Sequence, residues 1–334
     1  MMMVVTVLLF IFNFNMLQFL KKIGIYSILI VVMLELLVRV FHLYTEDPPR
    51  FIDEFNVEKR IPGYTGYSVT GNRRQNFSRF NINAQGFNSY RAFTPTSDKI
   101  ELALIGDSFI QGFHEDFDNS IGRKIEERTL DIAVYEYGYA GWDMADQLHL
   151  LHAYKTDFDK IDYIIIYMDY VTDLNRGAYE PNVDRIALLN SFAFRLRRKI
   201  KLLYYASEIG VLDAFRNFIS GKKAKEIPIL DSKDSIVALN NTNYIKNFKN
   251  LLESYPINKS KTYFLLDERK TSPNFIDFCK EQDIKLIDFG ASFNSSKKPT
   301  DLTYDQHWNN HGRSVLATLI AKKISDEAAI LVKD

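Results

Sequence analysis

The sequence predicts a doubly wound α/β domain, a parallel sheet flanked by helices, preceded by one N-terminal transmembrane helix. Three observations predict it. From residue 100 onward, short apolar runs of strand length alternate with amphipathic stretches of helix length. One of these runs, DYIIIYM at Asp162–Met168, is almost continuously apolar, as a parallel strand covered on both faces requires. And the first 44 residues are apolar with few interruptions.

The N-terminal element, residues 1–45, reads as a membrane signal anchor. Ile23 to Tyr44 is interrupted only by Glu35, Arg39 and His42. About 22 residues at 1.5 Å each match a bilayer core of roughly 30 Å. Glu35 and Arg39 stand four apart and can pair on one helix face. Lys21 and Lys22 precede the run, which places the N-terminus in the cytoplasm and everything after Tyr44 outside it. The run ends in Val-Phe-His-Leu-Tyr-Thr-Glu-Asp-Pro-Pro, with no small-residue cleavage site. Met16 is a second place where such an anchor would start.

Residues 46–98 form a polar, irregular approach marked by Pro48-Pro49, Pro62-Gly63, Gly66, Gly71 and Gly86, with an edge-hairpin candidate beginning at Phe77. The α/β domain occupies residues 99–334. Strands are expected at 100–105, 132–137, 162–168, 262–266 and 284–287, and helices at 121–129, 144–154, 244–255, 273–282 and 312–322. Residues 176–235 break the alternation and read as a helical insertion, basic at Arg195, Arg197, Arg198, Lys199 and Lys201. A solvated helix face is the commoner explanation of such a stretch, and a membrane-surface helix is the rival.

Composition excludes several classes. Lys+Arg and Asp+Glu each total 42, so no basic surplus points to nucleic acid. Cys279 is the single cysteine, which rules out an intrachain disulfide and a cysteine zinc cluster. No cofactor motif is present.

In an open parallel sheet, ligands bind beyond the carboxyl ends of the strands. The first strand ends in Gly106-Asp107-Ser108-Phe109, where a serine at a tight turn meets the positive end of a helix. Gly138-Tyr139-Ala140-Gly141-Trp142 follows the second strand, and Asp169 to Asn175 is a polar cluster after the third. Asp305 and His307, before the last helix, offer the acid and base that a serine nucleophile needs.

In this order, these blocks resemble the SGNH/GDSL hydrolase superfamily over roughly residues 100–325. The resemblance implies a flavodoxin-like sheet, Ser108 as nucleophile and oxyanion donor, Gly141 as a second donor and His307 as base. Two positions depart from it. The third block, normally Asn-Asp, is Thr172-Asp173, so Thr172 would be the third oxyanion donor, with Asn175 as a substitute. The acid normally stands three before the histidine, where this chain has Tyr304; Asp305 stands two before, and Asp301 is in reserve. The Asp-x-His-Trp-Asn form resembles the membrane-linked polysaccharide O-acetyltransferase branch. With the anchor and Gly86-Phe87-Asn88-Ser89, it resembles bacterial envelope proteins that handle O-acyl groups on surface glycans.

Trp142 and Trp308 flank motif residues and suit an aromatic platform for a sugar ring, with Asp173 and Asn175 as further substrate contacts. Packing of the motif loops explains the tryptophans equally well. His307 and His311, four apart, have a zinc spacing, but the helix begins between them, so no metal is expected. His114 falls near the pocket rim without a role, and His149 and His152 read as helix-surface residues. Three functions follow: an esterase on O-acyl groups of a carbohydrate or small ester, an acyltransferase to a glycan hydroxyl, and a glycan-binding protein without turnover. The expected partners are the bilayer and the acylated carbohydrate.

Overall fold

The computed structural model describes residues 2–70, 76–96, 98–220 and 233–329. Contacts group the chain into two compact units: Met1–Thr45 with Phe192–Ala224, and Glu46–Ser191 with Lys225–Asp334.

The second unit is built on a five-stranded parallel sheet. Two short hairpins come first: β1 (Arg50–Ile52) with β2 (Glu58–Arg60), and β3 (Thr65–Thr70) with β4 (Asn76–Asn81). The approach segment thus contains two hairpins, and the expected edge hairpin is β3–β4, a sheet of its own. The main strands follow: β5 (Ile100–Gly106), β6 (Ile132–Gly138), β7 (Tyr163–Tyr167), β8 (Thr262–Leu266) and β9 (Lys285–Asp288). Their spatial order is β6-β5-β7-β8-β9, all parallel, as the apolar runs predict. Stepping outward on both sides of β5 creates a switch point at its carboxyl end, where such sheets bind ligands.

After the N-terminal helix α1, the second unit holds α2 (Ser108–Gln111), α3 (Ile121–Arg128), α4 (Met144–Ala153), α5 (Lys155–Phe158) and α6 (Val183–Leu189). In the first unit, α1 (Met2–Val40) runs unbroken through Lys21 and Lys22, and Gln18–Val40 is long and apolar enough to span a membrane. The insertion supplies α7 (Phe192–Lys199), α8 (Lys201–Glu208) and α9 (Val211–Ser220) to that unit. The first two of these are divided at Ile200. The α/β unit ends with α10 (Lys233–Ser254), α11 (Pro273–Glu281), α12 (Gly290–Asn294) and α13 (Asn310–Ala328).

Two apolar layers sandwich the sheet. Leu148, Phe248, Phe275 and Cys279 of α4, α10 and α11 cover one face. Ile121, Ile125, Leu316 and Ile320 of α3 and α13 cover the other. Burial on both sides is what makes the strands read as unbroken apolar runs.

The ends of β5 and β6 are packed for α2. A Cβ on Gly138 would lie 2.1 Å from the Gln111 backbone nitrogen, and Tyr139 donates its N–H to Gly106 O at 3.0 Å. Only glycine admits this approach. Gly138→Ala is expected to cost roughly 1–3 kcal/mol, as overpacking against unyielding backbone does. Urea unfolding in detergent measures it; an unchanged midpoint would show that α2 shifts freely.

Candidate active site

Ser108 is the first residue of α2, at the carboxyl end of the central strand β5. Asp107 caps this short helix by accepting the Phe109 N–H at 2.8 Å. The helix stops at Gly112, whose φ is +66°. A side chain is excluded there, because the Arg313 guanidinium would sit 2.5 Å from its Cβ.

His307 comes from the loop before α13. Its Nε2 lies 2.9 Å from Ser108 Oγ, and its Nδ1 faces Asp305 Oδ1 in a short hydrogen bond. A proton on Nδ1, donated to the carboxylate, leaves Nε2 as acceptor for the serine hydroxyl. The residue between them, Gln306, has φ +64°. This left-handed turn reverses the chain within one residue and lets an acid two positions before the histidine face it. Asp301, the reserve, is elsewhere: its backbone pairs with Trp308 and its side chain lines a neighbouring cavity.

The structure adds a residue that sequence reasoning left without a role. His114 Nε2 lies 2.9 Å from Asp305 Oδ2, and its ring stacks on His307 with centroids 3.9 Å apart. Burial pushes His114 down to about 4, and nearby His307 adds to this. It is neutral at pH 7 and donates to Asp305 without neutralising it. The approach hairpins hold its loop, with Ser78 Oγ donating to Phe113 O and Asn76 to His114 O. No spacing rule links His114 to Asp305; only the fold brings them together. Donor atoms of His114, Asp305 and His307 all lie within 4.8 Å of one another, close enough to hold a metal ion as well. His311 is not among them, since its Nε2 meets Ser296 Oγ at 2.8 Å.

Other expected residues fall in different places. Thr172 gives its hydroxyl to Asp173 Oδ1 at 3.1 Å, and Asn175 donates to Thr172 O at 2.7 Å. Asp173 is buried and also accepts the Asp169 N–H at 2.9 Å. These three brace their own loop and do not line the cavity; Asp169 and Tyr170, from the same cluster, do. Trp142 is a core residue rather than a platform, packed edge-on to Phe87 and stacked with Tyr139. Trp308 is 3% exposed and forms a wall of the cavity with Phe109 and Phe289. Gly141 has φ +88°, with the Arg185 guanidinium 2.6 Å from where a Cβ would be.

The cavity measures about 630 Å³. Phe109, Gln306 and Trp308, neighbours of Ser108 and His307 in sequence, share its wall with Asp169, Asp267, Arg269 and Asp301. Burial, with Asp169 adding, pushes the Asp107 carboxyl up to about 7.

No protein-family model and no curated protein sequence matches the chain. Among solved structures, it is similar to a lipolytic G-D-S-L family member from Veillonella parvula (10% identity, TM-score 0.35, covering 66% of this chain and 96% of that one). It is also similar to a lipase/acylhydrolase from Enterococcus faecalis (12%, TM-score 0.36, 70% and 97%). A carbohydrate acetylesterase family member from Sinorhizobium meliloti is a third (11%, TM-score 0.35, 69% and 99%).

Two outcomes are expected. Gln306→Gly should leave thermal stability unchanged or raised, whereas Gln306→Val should lose about 1–3 kcal/mol, because a β-branched residue is strained at positive φ. Equal behaviour of the two would remove the left-handed turn. Asp107 has its folded value above its unfolded one, so its contribution is full below about pH 4 and is lost as pH rises toward about 7. Asp107→Asn, which keeps the cap, should therefore flatten that part of the stability–pH curve in urea titrations between pH 4 and 8.

Proposed function

We propose that the protein is a serine esterase that removes O-acyl groups, chiefly O-acetyl, from a carbohydrate. One observation carries this: Ser108 Oγ lies 2.9 Å from His307 Nε2, with His307 Nδ1 held by Asp305. Ser108 attacks the ester carbonyl as His307 takes its proton. The tetrahedral oxyanion is received by the N–H groups of Ser108 and Gly141. His307 then returns the proton to the departing sugar hydroxyl. Water enters by the same route and releases the acid, restoring Ser108. Asp305 fixes the tautomer, and His114 fixes Asp305.

The cavity supports a sugar rather than a long acyl chain. Its rings can stack on an apolar sugar face, while Asp169, Asp267, Asp301 and Arg269 can take hydroxyls. A hydrocarbon chain would desolvate those charges without return. Thr172, with its hydroxyl already committed to Asp173, is not counted as a donor. Further from the chemistry, Lys21 and Lys22 support an anchor with a cytoplasmic N-terminus and an esterase outside.

Hydrolysis of p-nitrophenyl acetate by the full chain in detergent tests the proposal. Ser108→Ala should fall to background and His307→Ala by roughly 10²–10⁴-fold. His114→Ala should lower kcat by less than Asp305→Ala does. Equal turnover by wild type and Ser108→Ala refutes the nucleophile, and loss of turnover on chelation would favour a metal at His114, Asp305 and His307. Acetate released from an acetylated glycan, against acetyl moved to a bare one, separates esterase from transferase. Glycan binding with no turnover would leave a binding protein. A reporter fused after residue 334 checks the orientation.

A further inference from the structure

The first unit joins α1 to the basic helices of the insertion by backbone capping. Glu35 accepts the N–H of Lys201 at 3.1 Å and of Leu202 at 2.6 Å, the first two residues of α8. Arg39 donates to Lys199 O, the last residue of α7, at 2.8 Å and to Glu35 at 2.7 Å. The Lys201 ammonium also lies 4.4 Å over the Tyr44 ring. The α7–α8 corner is thus fastened to the final turns of α1. Glu35 stands five residues before Val40, about 7–8 Å along the axis at 1.5 Å per residue.

The surface around that corner combines two features. Helix α7 holds Arg195, Arg197, Arg198 and Lys199 and no acidic residue. Arg197 is paired with Glu208, whereas Arg195, Arg198 and Lys199 have no carboxylate partner among the described residues. Over the same stretch, residues 192–212, Phe192, Leu196, Ile200, Ile209, Val211 and Leu212 are exposed, Phe192 by 72%. Leu36, Val40 and Phe41 at the end of α1 are exposed as well, in the same unit.

We propose that α7, α8 and the start of α9 form a platform that lies on the bilayer surface and binds anionic lipid headgroups. It rests on α1 spanning the membrane and is independent of the esterase reading. The occupant follows from the combination. A solvated face does not leave six large apolar side chains exposed among cations. A bilayer that carries anionic lipid in the leaflet facing the platform offers an apolar interior below an anionic surface, which matches rings and aliphatic groups in one stretch with Arg and Lys. The capping bonds hold the α7–α8 corner within a turn or two of the end of the spanning segment, the depth at which headgroups lie. A protein partner would match the apolar residues without accounting for that position.

The test uses the full chain, one copy per lipid nanodisc, with acyl chains brominated or plain. Phe192→Trp reports on the platform and Ile28→Trp on the spanning helix; emission of Trp142 and Trp308 is subtracted using wild type. Both added tryptophans should be quenched about twofold or more by brominated lipid, as apolar groups sunk in the acyl boundary are. A combined Arg195→Gln, Arg198→Gln and Lys199→Gln variant should lose the dependence of Phe192→Trp quenching on the fraction of anionic lipid. Quenching of Ile28→Trp with none of Phe192→Trp overturns the platform alone and leaves a solvated face or a second copy of the chain; an effect of protein copy number per disc would identify the latter. Failure of both overturns the spanning helix and the platform together. Quenching that ignores headgroup charge overturns the lipid selectivity.

Discussion

One carboxylate, Asp305, is gripped from both sides, and the geometry of the site depends on that grip. His307 takes one oxygen and His114 the other. The two histidines come from different loops, one after α2 and one before α13, so Asp305 is where the nucleophile loop and the histidine loop are locked together. The constraint runs outward through His114 to Asn76 and Ser78 of the second hairpin. The hairpins before the sheet are therefore part of how the serine is aimed, although none of their residues touches it.

Beneath this grip lies a second, electrostatic support. Arg313 is fully buried and reaches Phe109 O and Trp308 O at 3.4 Å each, one carbonyl beside Ser108 and one beside His307. Glu115 and Glu136 supply the negative charge that a buried guanidinium requires. Burial in turn pushes Glu136 up to about 7. Arg313 thus bridges the two loops beside the direct packing of Phe109 on His307 and Trp308, and Gly112 is the space left for it.

The strands were legible because burial on both faces writes itself as apolar runs, Ser108 because it follows a strand end, and His307 and Asp305 because they stand together in the polar run before the last helix. What failed did so for physical reasons. The residues of β2, Glu58, Lys59 and Arg60, are all buried, the reverse of what hydropathy expects, because each has charged or hydroxyl partners such as Asp47, Asp53 and Tyr139. Trp142 was read from adjacency to a glycine motif, but adjacency does not tell which face of the loop turns inward. The polar run from Asp169 to Asn175 hid which members satisfy one another. The break between α7 and α8 was invisible because its cap, Glu35, lies 166 residues away instead of at the usual Ser, Thr, Asp or Asn.

That remote cap has a consequence for the order of assembly. Made from its N-terminus, the chain holds all of its first unit by residue 224, while β8 and β9 are still to come. The cap then closes a loop that already contains β5, β6 and β7, and closing so long a loop costs little more entropy than closing one half its length. The last two strands of the sheet, β8 and β9, are made only after every residue of that loop.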